Sequence, residues 1–220
     1  MRSTFASRVI GLLRASHFGP TVLVVTITFS LALSQYSAQQ SARIAVAIFF
    51  GQLVVGWSND LLDLPLDRAA NRNKKPLVSG AVGIVLLKCA IPLATLLALL
   101  LSLLSPLGRA GTLVHMLGIA SALLYNIKLK RTFLSPLPYI VSFAALPWAI
   151  YLSAHKSPPL WLYLDFALVS VAFHFLNVIK DLAWDIDQGV LGLPQRIGRK
   201  ASLVVATILI GGALAILLVR

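Results

Sequence analysis

Residues 82–105 read VGIVLLKCAIPLATLLALLLSLLS. Apart from Lys88 the run carries no charge, and a helix needs about 20 mostly apolar residues to cross a hydrocarbon layer about 30 Å thick. Six more runs of this kind flank it, at roughly 19–36, 43–58, 111–126, 133–153, 160–179 and 202–219. The run at 43–58 is short and is expected to continue into the polar residues after it. The expected fold is therefore an all-α, polytopic transmembrane helix bundle of about seven spans, with residues 1–220 as a single domain. Composition agrees: 58% of the 220 residues are hydrophobic and 12% charged, with mean hydropathy +0.87. Soluble domains are about half apolar and about one quarter charged. The first 18 residues carry Arg2, Arg8 and Arg14. They resemble the basic start of a signal peptide, but the apolar run is too long and no small-residue cleavage site stands out, so the reading is a retained first helix with an amphipathic lead-in.

The formal charge is +12, from 19 Lys+Arg against 7 acids. The basic residues lie between apolar runs and not on a soluble domain, which points to the membrane surface and away from nucleic acid. With the N-terminus inside, fifteen basic residues fall on one side of the membrane and four (Arg43, Arg109, Lys156, Arg220) on the other, which sets the expected cytoplasmic face. The one cysteine, Cys89, excludes an internal disulfide and a cysteine-rich zinc site. The four histidines are scattered without metal-ligand spacing.

All seven acids are aspartates, and six of them fall in two clusters on the expected cytoplasmic side. The first is NDLLDLPLD, Asn59 to Asp67; Asp60, Asp63 and Asp67 share one helical face. Pro65 is expected to kink or loosen the helix there and to displace Asp67. The second is NVIKDLAWDIDQG, Asn177 to Gly189; on a continuous helix Asn177, Asp181 and Asp185 share a face, with Asp187 off it. Carboxylates crowded on one face repel one another and destabilise the helix. A divalent cation relieves that repulsion, and an all-oxygen, sulfur-free donor set suits magnesium together with phosphate oxygens. Two such faces are expected to hold two magnesium ions with a phosphate or diphosphate between them. The plainer alternative is that aspartates end transmembrane helices and sit in water. It fits one cluster better than two of similar spacing on the same side. Basic residues surround both: Arg68, Arg72, Lys74 and Lys75 come after the first, and YNIKLKR (Tyr125 to Arg131) lies on the same side. Arg72, Lys75, Lys128 and Lys130 are the expected diphosphate contacts, although the positive-inside bias accounts for some of these charges by itself.

With both clusters in view, the sequence resembles the UbiA superfamily of intramembrane prenyltransferases. Asn59-Asp60-x-x-Asp63-x-x-x-Asp67 matches that family's NDxxDxxxD motif, and Lys75-Pro76-Leu77-x-Ser79-Gly80 resembles the segment after it. Asp181-x-x-x-Asp185-x-x-x-Gly189, then Leu193-Pro194-x-Arg196-x-Gly198, resembles the second aspartate motif. Tyr125 and the basic residues after it are similar to the family's cytosolic substrate loop, and GWSND and GVLGLPQRIGR look like actinobacterial members. The resemblance implies magnesium-dependent transfer of a prenyl group from a polyprenyl diphosphate to a hydrophobic acceptor. Asp60, Asp63, Asp181 and Asp185 would be catalytic, and with Asp67 they would be the metal ligands. Asn59, Tyr125 and Asn177 would join the basic residues around the diphosphate; for the two asparagines a helix-packing hydrogen bond is the competing role. The family fold has nine transmembrane helices, so the implied bundle lacks the last two, and an oligomer or partner chain would supply the missing wall. His17 and His174 are read as packing partners and Asp165 is given no role. Two alternatives stand beside this reading: a CDP-alcohol phosphatidyltransferase, whose motif neither cluster matches, and a non-catalytic or truncated membrane subunit.

Overall fold

The computed structural model describes residues 5–220, with side chains from Val9 onward; Arg2 lies outside the described residues, as does the side chain of Arg8. Among the described residues there are nine α-helices, one 3₁₀ turn and no strand. The helices are α1 (Phe5–Ala15), α2 (Phe18–Ala32), α3 (Ala38–Ala69), α4 (Ile84–Leu104), α5 (Gly108–Ile127), α6 (Leu137–Ser153), α7 (Leu160–Ile179), α8 (Leu182–Asp187) and α9 (Leu193–Val219). Each of the seven apolar runs lies on its own helix. Five helices are long and apolar enough to cross a membrane, and the bent pair of α1 and α2 makes a sixth if taken as one span. The shorter α6, 17 residues, is apolar as well. The chain forms two compact units, residues 1–112 and 113–220.

In the first unit α3 is the central element, packed against both α2 and α4. Its start is fixed by a capping box. The Gln40 backbone N–H donates to Ser37 Oγ at 3.3 Å, and the Ser37 N–H donates to Gln40 Oε1 at 3.1 Å. Its 32 residues extend about 48 Å at about 1.5 Å per residue, well beyond a hydrocarbon core of about 30 Å. The short span expected at 43–58 does continue into the aspartates. Pro65 does not end the helix, which runs unbroken to Ala69. The α1–α2 junction bends by 73° and rests on α3 at Gly56. A β-carbon there would stand 2.4 Å from the Ser16 carbonyl oxygen, so only glycine admits this contact. Trp57 Nε1 donates to the Leu12 carbonyl at 2.9 Å and fixes the lead-in helix on the same surface. Leu93, Leu96, Leu100 and Leu104 on α4 are exposed, an apolar surface that water does not favour.

In the second unit α7 packs on both α6 and α9. Ala172, Phe175 and Ala206 form a buried core, with Val171, Leu193, Val205 and Leu209 against it. Small and hydroxyl residues join α5 to α6, as is usual where helices meet in lipid: Ser142 Oγ donates to the Gly118 carbonyl at 2.9 Å and Ser121 Oγ to the Pro138 carbonyl at 3.2 Å. The basic, Pro- and Gly-containing stretch after the second cluster is helical from Leu193, nine residues before the expected span. Pro194 is no obstacle in the first turn, where its missing N–H has no intrahelical partner to lose. Gly198, at φ 80° and ψ 171°, breaks α9 into a short polar piece and a long apolar one.

Candidate functional site

The first cluster occupies the last turns of α3. Asp60 and Asp67 are buried and Asp63 is half-buried. After Ala69 the chain turns back through Asn71, whose φ of 51° is a left-handed conformation asparagine tolerates. The turn is held by the Arg72 N–H on the Asp67 carbonyl and the Lys75 N–H on the Arg72 carbonyl, and buried Leu77 and Val82 anchor the chain beyond it. This returns two cations to the carboxylates that precede them. Lys75 Nζ lies 2.6 Å from Asp60 Oδ1 and 3.9 Å from Asp67 Oδ2, and Arg72 Nη1 lies 3.2 Å from Asp67 Oδ1. Asp67 is therefore not displaced by Pro65; one ammonium spans it and Asp60.

A third group reaches Asp60 from outside the motif. His17, at the α1–α2 bend with φ 55° and ψ 57°, places Nε2 3.2 Å from Asp60 Oδ1 and 3.3 Å from the Asn59 side-chain amide. An aspartate gripped by an ammonium is ionised, so Nε2 must carry a proton and donate to it. The sequence alone points to packing for His17. Its partner is 43 residues away, and the only local sign is Gly56, one helical turn before Asp60.

The residues suit magnesium. All carboxylate donors are oxygens, and one small cationic head group, Lys75 Nζ, already reaches Asp60 and Asp67 together. Among the described residues no three His, Cys, Asp or Glu side chains gather as a complete metal cage. Magnesium is characteristically held by one or two carboxylates, with water and phosphate oxygens completing the shell.

The second cluster is built differently, and the expected continuous face does not form. α7 ends at Ile179, and Asp181 stands at φ −112° and ψ 9° as the cap of α8. Asn177 is thus on α7 and Asp185 on α8. Asp181 and Asp185 remain one turn apart, joined by the Asp185 N–H on the Asp181 carbonyl at 2.9 Å. Asp181 and Asp187 are exposed and Asp185 is half-buried. Gln195 Nε2, at the start of α9, donates to Asp185 Oδ2 at 2.8 Å; the sequence gives no hint of this residue, which is the unassigned position between Pro194 and Arg196 and lies before the expected span.

The remaining expected contacts divide. Lys128 is exposed where α5 gives way to the 3₁₀ turn Leu129–Arg131, whereas Lys130 is buried within that turn. Tyr125 packs edge-on to Tyr139 with centroids 5.1 Å apart. His174, fully buried, lies against Tyr125, Tyr139 and Phe175; its Nε2 is 3.1 Å from Ser135 Oγ, which also accepts the Leu193 N–H at 3.0 Å.

Residues 22–220 match the model of the UbiA prenyltransferase family. The structure is similar to a UbiA homolog from Archaeoglobus fulgidus bound to GPP and Mg2+, with TM-score 0.73 and 15% identity over 94% of this chain and 76% of that one. It is similar to the apo UbiA homolog from Aeropyrum pernix K1, with TM-score 0.75 and 20% identity over 90% of this chain and 77% of that one. A digeranylgeranylglyceryl phosphate synthase structure gives TM-score 0.68 and 20% identity, over 95% and 76%. At these identities the likeness is one of fold. None of the curated proteins matches the chain in sequence.

Proposed function

The chain belongs to the UbiA prenyltransferase family, and from that premise we propose that it transfers a prenyl group from a polyprenyl diphosphate to an aromatic or lipid acceptor within the membrane. The observation that carries this reading is the first cluster: buried Asp60 and Asp67 joined by Lys75, with Arg72 and His17 on the same carboxylates. Asp60, Asp63 and Asp67 would hold one magnesium ion, and Asp181 and Asp185 another. Bound magnesium supplies positive charge against a leaving diphosphate. The Archaeoglobus homolog, bound to GPP or DMAPP with Mg2+, supports the choice of donor and metal.

The carbon–oxygen bond of the donor breaks with its electron pair on the diphosphate. The acceptor's nucleophilic atom bonds the freed allylic carbon and gives up its proton. Negative charge grows on the diphosphate as the bond breaks, so cations fixed nearby favour the transition state over the bound donor. Lys75 and Arg72 would supply such charge: each holds a carboxylate oxygen that a phosphate oxygen could replace. Asn59, Tyr125 and Asn177, with Lys128 and Lys130, are the further diphosphate contacts in this reading. Apolar helices keep water from the allylic fragment. The Lys/Arg bias puts the N-terminus and both clusters on the cytoplasmic side.

The test is purified protein in lipid nanodiscs with radiolabelled geranylgeranyl diphosphate, magnesium and a panel of phenolic and lipid acceptors. Product is expected with at least one acceptor, and its loss in Asp60→Ala and Asp181→Ala. Equal turnover in both variants and the parent refutes the two-cluster mechanism.

A further inference from the structure

Asp185 sits on α8, a helix of six residues, too short to be stable alone. α8 packs on α9, and a side-chain hydrogen bond ties them, Gln195 Nε2 on Asp185 Oδ2 at 2.8 Å. Gln195 is 7% exposed, and its other amide atom, Oε1, is buried without a hydrogen-bond partner. That oxygen faces Gly192. A β-carbon on Gly192 would stand 2.7 Å from Oε1, 2.7 Å from the Lys130 carbonyl oxygen and 3.0 Å from Ser135 Oγ. With only hydrogens on Gly192, Oε1 rests against a Cα–H, a weak contact that nevertheless fills the space. The carboxylate requires a donor, so the amide has one workable orientation, nitrogen to Asp185 and oxygen to Gly192. Ser135 Oγ holds the next N–H, that of Leu193, which fixes the first turn of α9 on which Gln195 stands.

We infer that Gln195 is a positioning residue: it holds the Asp185 carboxylate in one orientation for the magnesium that binds prenyl diphosphate. This rests on the function proposed above. Groups that orient a metal-binding side chain change metal affinity by about 10- to 100-fold when removed.

The experiment measures binding of radiolabelled geranylgeranyl diphosphate to nanodisc-embedded full chain across a magnesium titration. Gln195→Met keeps length and removes the donor; half-saturating magnesium is expected to rise about tenfold while binding at saturating magnesium and the melting temperature hold. Gln195→His restores an N–H at similar reach and is expected to recover most of the loss, which a purely packing role would not produce. If Gln195→Met does not fold, Gln195→Asn, too short to reach Asp185, replaces it in the same titration. Unchanged half-saturation in a folded, donor-deficient variant overturns the inference, provided the parent depends on magnesium and Asp185→Asn weakens that dependence. A parent that binds the donor independently of magnesium overturns the proposed function, and this inference with it.

Discussion

The two aspartate clusters solve the same electrostatic problem by different means. The first keeps its carboxylates on one uninterrupted helix and balances them with cations from the adjoining loop, Lys75 and Arg72, and with His17. The second breaks its helix at Lys180–Asp181, which parts Asn177 from the acids, leaves Asp181 and Asp187 exposed, and steadies Asp185 with a neutral amide. Buried carboxylates need counter-charge, whereas carboxylates turned toward solvent need direction. The first cluster should therefore be sensitive to charge, and the second to backbone placement.

The largest effect should come from Asp60→Asn, which takes the shared carboxylate from His17 and leaves Lys75 only Asp67. Transfer activity is expected to fall by about 100- to 1,000-fold, the usual loss when a fixed electrostatic group at a reacting centre is removed. Asp187→Asn, at the exposed end of α8, should leave the rate within about twofold on the same scale; a comparable loss there would break the contrast. Next is Gly56→Leu, whose side chain collides with the Ser16 backbone. It should cost about 1–3 kcal/mol, seen as a lowered melting temperature, and the same variant should lose the His17 contact. His17→Ala is expected to raise half-saturating magnesium about tenfold, with His17→Gln, which keeps an N–H donor, recovering part of it. A His17→Ala protein with unchanged magnesium dependence would remove His17 from the first cluster. The smallest change should be Ser135→Ala. It deprives the Leu193 N–H of its acceptor and should lower stability by about 1 kcal/mol, read by thermal melting, with little change in rate.

The fold is legible where the signal is local. A run such as 82–105 has few alternatives to a spanning helix, and every such run is helical, five of them on helices long enough to cross a membrane. The first aspartate face is legible too, because 3.6-residue periodicity survives wherever the helix does. Two local rules mislead when given too much weight. Pro65 suggests a disturbed end to α3, yet the helix continues through it, and the groups on Asp60 and Asp67 come from the Lys75 loop and the α1–α2 bend. The stretch from Gly192 lies outside the span expected at 202–219, yet it is helical from Leu193, and its Pro belongs naturally in a first helical turn. The converse holds at Asp181, where no Gly or Pro marks the break between α7 and α8. His17 and Gln195 escape a sequence reading because a side chain's partner across the fold leaves no trace in its own neighbourhood of sequence.

The break at Gly198 has a mechanical consequence. Residues beyond it form the apolar length of α9, whose tilt must follow the thickness of the surrounding bilayer. The residues before it carry Gln195 and the tether to Asp185. Across the break the Ser202 hydroxyl donates to the Pro194 carbonyl at 3.2 Å. The joint therefore lets the two halves of α9 take different directions, the apolar length set by the membrane and the first turn by the hydrogen bond from Gln195 to Asp185.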